Sequence, residues 1–171
     1  MQKVLILEGK FVDKVWGGSR LKDEFDYDIN SDSVGEYWAI SGMDEASSVV
    51  INGELSGQSL KDVYKNHKEL FGGNDEETFP LLIKIIDATD DLSIQVHPDD
   101  EMGAKLENSR GKTECWYILN ENPASIIYGL NADSKDEAIK KIENKKWDDV
   151  LKEVPANKGD FFFVPAGTVH A

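Results

Sequence analysis

What most constrains this chain is the brevity of its apolar stretches and the regularity with which turn signals interrupt them. Val4 to Leu7, Glu36 to Ile40, Ser48 to Ile51, Leu81 to Asp87, Leu92 to Val96, Glu114 to Leu119, Ser125 to Tyr128 and Phe161 to Val164 each have the length and β-branched or aromatic content of a strand. Gly17-Gly18, Asn52-Gly53, Asn122-Pro123, Lys158-Gly159-Asp160 and Pro165-Ala166-Gly167 separate them. Two segments predict helices instead. Ser59 to Phe71 opens on Ser59-x-x-Asp62, and Ser134 to Glu143 opens on Ser134-x-x-Glu137; both are capping patterns ahead of apolar residues at helical spacing. A short helical turn around Trp147, Val150 and Leu151 follows the second. The polar run Asp99 to Lys112 reads as a long loop, of the kind that often carries function. Many strands without a helix between each pair argue against a parallel α/β sheet. They point to a mainly β barrel or sandwich with two helical insertions, built as one domain over residues 1–171.

Charge narrows the partners. With 19 basic and 33 acidic residues the formal net charge is −14, a field that repels nucleic acid and anionic lipid. A small phosphorylated ligand would need a local cluster of Lys or Arg. No apolar run approaches the roughly 20 residues of a membrane span, and no export signal is visible. The single cysteine, Cys115, has no intramolecular partner. A cytoplasmic protein is expected.

Candidate chemistry centres on the histidines, of which there are three. His67 falls on the apolar side of the first predicted helix, where a histidine is ordinarily structural. His97 follows Ser93-Ile94-Gln95-Val96 and precedes Pro98, so strand periodicity turns Gln95 and His97 to one face. A lone His-Pro is ordinarily structural too. Two further positions change its meaning: Glu114 begins a strand just after the polar run, and His170 follows Thr168 on one face of a strand launched by Pro165-Ala166-Gly167. Gln95, His97, Glu114 and His170 would together supply two imidazoles, a carboxylate and an amide oxygen. That set suits zinc, other first-row divalent ions being alternatives, and leaves room for a catalytic water. Lys84 stands out for a different reason. A lysine inside the apolar strand Leu81 to Ile86 must reach a partner or a wet cavity. With Lys112 and Arg110 it is a candidate to meet a phosphate, although Arg110 reads more simply as surface charge.

Taken in order, Trp16-Gly17-Gly18, Gly35-Glu36-Tyr37-Trp38, Leu82-Ile83-Lys84-Ile85, Gln95-Val96-His97-Pro98, Lys112-Thr113-Glu114 and Pro165-Ala166-Gly167-Thr168-Val169-His170-Ala171 resemble the motifs of type I mannose-6-phosphate isomerases, enzymes of the cupin (jelly-roll-type barrel) superfamily. The resemblance runs from near the N-terminus to Ala171. It implies that Gln95, His97, Glu114 and His170 bind one zinc ion per chain, and that Lys84 and Lys112 line the active site. It also implies a reversible interconversion of mannose 6-phosphate and fructose 6-phosphate.

Chains of that family continue past the histidine matched by His170. They add barrel strands, a second cupin-like half and an active-site arginine, whereas this sequence ends at Ala171. The expectation is therefore a barrel incomplete at its C-terminus, with open sheet edges available for self-association. Three readings are carried forward: the isomerase, active or as an inactive fragment; a non-catalytic cupin module that binds a metal or sugar phosphate; and an iron cupin oxygenase, whose sites commonly use more histidines.

Overall fold

The computed structural model describes residues 4–73 and 75–171, and the chain divides into two compact units, residues 1–91 and 92–171. No helix among the described residues is long and apolar enough to cross a membrane.

The first unit is organised by an antiparallel sheet of order β2-β3-β5, formed by β2 (Lys10–Gly18), β3 (Val34–Ser41) and β5 (Leu82–Ile86). A shorter antiparallel pair joins β1 (Leu7–Glu8) to β4 (Val49–Val50). Both α1 (Arg20–Asp23) and α2 (Leu60–Asn66) are brief. The predicted helix Ser59 to Phe71 is present in two pieces: α2, capped by the Ser59 side chain accepting from the Asp62 amide, and a 3-10 turn over Lys68–Phe71. His67 is the residue between them, beside Glu69. Leu21, Ile29 and Val34 form a buried cluster against which Tyr27, Tyr37 and Ile85 pack. The predicted turn at Gly17-Gly18 is instead the end of β2. Glycine is required at position 17 because a Cβ there would run into the Ser33 carbonyl and the Gly35 amide at the start of β3.

In the second unit β6 (Glu114–Tyr117) pairs with β9 (Phe161–Val164), and β7 (Ala124–Leu130) with β8 (Leu151–Ala156). The β6–β9 ladder shows period-two logic directly. Glu114 faces Val164 and Trp116 faces Phe162 on the more buried side. Cys115 opposite Phe163 and Tyr117 opposite Phe161 form the exposed side. Helix α4 (Lys135–Glu143) is capped by Ser134 as its sequence predicts and is followed by α5 (Trp147–Val150).

Three expectations are corrected here. The polar run after Pro98 is not a plain loop: α3 (Asp100–Glu107) occupies most of it, with the Asp99 carboxylate accepting from the Met102 amide and Asn108 closing the helix in the left-handed conformation. The predicted strand Leu92 to Val96 has no ladder, only one bridge from Gln95 to His170. The strand predicted from Thr168 is likewise reduced to His170, bridged to Gln95 on one side and Tyr128 on the other.

Two stability tests follow, one for each unit. Leu21→Ala should lower unfolding free energy by about 2–5 kcal/mol, read by denaturant titration, because its neighbours cannot fill the space. Ser134→Ala should cost about 1 kcal/mol by the same measurement, through the lost bond to the Glu137 amide.

Candidate metal centre

The second unit gathers its chemistry by clasping short segments together. Gln95 and His170 exchange two backbone hydrogen bonds, 3.0 Å from the Gln95 amide and 2.9 Å from the His170 amide. On the other side of His170, the Gly129 amide donates to Val169 O at 2.8 Å and the Ile127 amide to Ala171 O at 2.9 Å. The Gly167 amide donates to His97 O at 2.8 Å, and the Lys112 amide to Pro98 O at 3.0 Å. The His170 segment is therefore held between the Gln95–His97 segment and β7. The second clasp returns the chain after α3 to β6, with Glu114 as its first residue.

These clasps bring His97, Glu114 and His170 together, with one ligand atom of each within 4.8 Å of the others. Glu114 Oε2 lies 3.0 Å from His170 Nε2 and 3.5 Å from His97 Nε2. The imidazole of His170 is almost wholly buried, with its Nδ1 2.9 Å from Thr168 O. A carbonyl only accepts, so Nδ1 donates, and in the neutral ring Nε2 presents a bare lone pair toward Glu114. Glu114 Oε2 and His170 Nε2 are among the buried polar atoms without a hydrogen-bond partner in the described residues. Two lone pairs at 3.0 Å repel unless a proton or a metal ion lies between them. Nitrogen and oxygen ligands held tetrahedrally at about 2.0–2.2 Å from one ion would stand roughly 3.3–3.6 Å apart, close to the 3.0 and 3.5 Å between Glu114 Oε2 and the two imidazoles. The donor set thus fits a divalent first-row cation.

Lys112 completes the cluster. Its Nζ donates to Glu114 Oε1 at 2.7 Å and lies 3.3 Å from His97 Nε2. Burial, and next the Lys112 charge, hold the His97 pKa below its ordinary value, so the ring stays neutral as a metal ligand requires. Burial would raise the Glu114 carboxyl, but the Lys112 hydrogen bond and charge and the two histidines outweigh it and leave the pKa low. The ring of Trp116 meets His170 edge-on at 5.7 Å between centroids. Neither the Thr168 carbonyl nor Trp116 was singled out from sequence, although Trp116 follows Glu114 at the same-face spacing of a strand.

The remaining expected residues lie otherwise. Gln95 stands directly opposite His170 in a hydrogen-bonded pair, which puts both on one face. Lys84 belongs to the first unit, on β5, where its Nζ is 3.0 Å from Glu36 Oε1. The alternatives set for a lysine in an apolar strand are thus resolved in favour of a partner.

The model of the phosphomannose isomerase type I catalytic domain matches residues 4–125. Mannose-6-phosphate isomerase from Streptococcus mutans is 48% identical over 172 residues, covering 100% of this chain and 54% of that protein. Mannose-6-phosphate isomerase ManA from Bacillus subtilis is 47% identical, covering 98% and 53% respectively. A crystal structure of the mannose 6-phosphate isomerase from Bacillus subtilis superposes with a TM-score of 0.93 at 44% identity, covering 99% of this chain and 55% of that one. The apo form of mannose 6-phosphate isomerase from Salmonella typhimurium, at 16% identity and a TM-score of 0.70, shares the fold. The mainly β, cupin-type architecture with helical insertions is thus common to these structures. The chain spans about half the length of the curated relatives it matches. On the matched region, the motifs and the fold, this chain belongs to the type I phosphomannose isomerase family.

Proposed function

We propose that this chain carries the zinc-binding part of a mannose-6-phosphate isomerase, an enzyme interconverting mannose 6-phosphate and fructose 6-phosphate. The observation that carries the reading is the facing pair of buried atoms, Glu114 Oε2 and His170 Nε2, without a hydrogen-bond partner among the described residues and with His97 beside them. His97, Glu114 and His170 would hold the ion through Nε2, Oε2 and Nε2, and Gln95 would add its amide oxygen from the same face as His170. A zinc ion bound there would act as a Lewis acid toward the oxygens at C1 and C2 of the open-chain sugar.

The protein's own residues do the rest. Thr168 O fixes the His170 tautomer, and Trp116 limits rotation of its ring. Aldose–ketose isomerisation removes a proton from the carbon beside a carbonyl and returns one to its neighbour, so it needs polar groups positioned beside the sugar carbons. Lys112 meets that need. Its Nζ bonds a ligand carboxylate while its side chain remains about half exposed, so it can meet a substrate oxygen and still be held by Glu114. Lys84 is assigned to the anionic substrate as a cation in a chain of net charge −14.

Two outcomes are expected. His97→Ala should lose most bound zinc in metal analysis of the purified chain, and with it any conversion of mannose 6-phosphate in a coupled assay; retained stoichiometric zinc would remove His97 from the ligand set. Lys112→Ala should keep its zinc while turnover drops on the order of 10²-fold or more. Zinc-loaded wild-type chain with no turnover would favour the non-catalytic metal-binding module instead.

A further inference from the structure

Glu36 sits in the middle of β3 at 6% exposure, a buried carboxylate to which the proposed metal chemistry gives no task. Both of its oxygens are engaged. Oε1 accepts from Lys84 Nζ at 3.0 Å; Oε2 accepts from Trp38 Nε1 at 2.8 Å and faces Lys14 Nζ at 3.4 Å. The Lys84 ammonium also stands 4.7 Å from the centroid of the Trp38 ring. The sheet builds this arrangement by register: Trp38 lies opposite Lys84, and Glu36, two residues before Trp38, shares its face. Burial would raise the Glu36 pKa, but the bonds from Trp38 and Lys84 and the two lysine charges outweigh it and hold it low.

A buried ion pair of this kind is a poor device for stability alone, because desolvation offsets its attraction and an apolar pair fills the same space as well. Its geometry suits positioning better. A lysine side chain is long and loses much rotamer freedom when a ligand fixes it; a carboxylate on one side and an aromatic ring on the other fix it beforehand. The ammonium is not used up, since Lys84 keeps 23% and Lys14 34% of side-chain exposure. Two lysines against one carboxylate leave the cluster with a surplus positive charge in a strongly acidic chain.

We infer that Glu36 is a positioning residue, which together with Trp38 holds the Lys84 ammonium as a fixed cation for the anionic sugar phosphate. This rests on the assignment of Lys84 made under the proposed function. It also gives the Gly35-Glu36-Tyr37-Trp38 element a physical task that the metal ligands do not.

The test compares Glu36→Gln and Glu36→Asp with wild type by two readouts. The first is the rate at which an amine-reactive acetylating reagent modifies Lys84, followed by peptide mass spectrometry with Lys152 as internal reference. Glu36→Gln should label Lys84 several-fold faster, and Glu36→Asp should fall between the two. An unchanged Lys84 rate in a folded Glu36→Gln chain overturns the inference. Should Glu36→Gln fail to fold, Trp38→Phe removes one bond to Glu36 and should raise the Lys84 rate in the same sense; no rise there overturns it equally. The second readout is calorimetric affinity of the zinc-loaded chain for mannose 6-phosphate. Glu36→Gln should weaken it about tenfold with zinc content unchanged, and should weaken a Lys84→Gln chain no further. Wild-type affinity in Glu36→Gln, alongside faster labelling, overturns the role toward substrate. Wild-type chain that binds no mannose 6-phosphate sinks the substrate reading, while the labelling result alone decides whether Glu36 fixes Lys84.

Discussion

The second unit is organised around the close approach of Glu114 Oε2 and His170 Nε2, two buried atoms 3.0 Å apart that a positive charge between them would stabilise. The His170 ring is pinned by Thr168 O and by a backbone held on both sides, and Glu114 is fixed as the first residue of a paired strand. An ion bound there, as proposed, would add its affinity to the stability of the fold. Lys112 bonds the other carboxylate oxygen, and its charge helps keep His97 neutral.

The first unit is organised by similar means. There a carboxylate is buried in a sheet, and the cations come from the chain itself, Lys84 and Lys14, with an indole N–H as a third donor. In both units a glutamate on the inward face of a strand orders the groups around it. In one those groups are two imidazoles and Lys112; in the other they are two lysines and an indole.

The parts of the fold that were legible in sequence are those whose local signals agree with their burial. Helices α2 and α4 carry their Ser caps where the pattern placed them, and β6 and β9 alternate cleanly. Strand β2 was missed because its inward positions include Lys14 while Phe11 and Val15 face outward, so apolarity does not follow the pleat. Strand β8 was missed because Lys152, Glu153 and Pro155 interrupt it; β7 is the neighbour that pairs with it. Helix α3 offered Asp99 and Asn108 as caps but buries only Gly103, leaving no apolar stripe to announce it. Of the site, His97, Glu114, His170 and Lys112 could be picked out from residue type and motif, and they converge. The orienting carbonyl of Thr168 carries no side-chain signal, and the link between Glu36 and Lys84 depends on a strand register that sequence does not state.

The His170 clasp also has a meaning in time. His97 and Glu114 emerge from a ribosome long before His170, and the backbone bonds that seat His170 between Gln95 and Tyr128 cannot form until it has emerged. Until then a nascent chain would hold only part of the proposed ligand set. On the proposed ligand set, selection among competing metals would wait until most of these residues have been synthesised, and the last ligand to arrive would be the one whose ring is most tightly held.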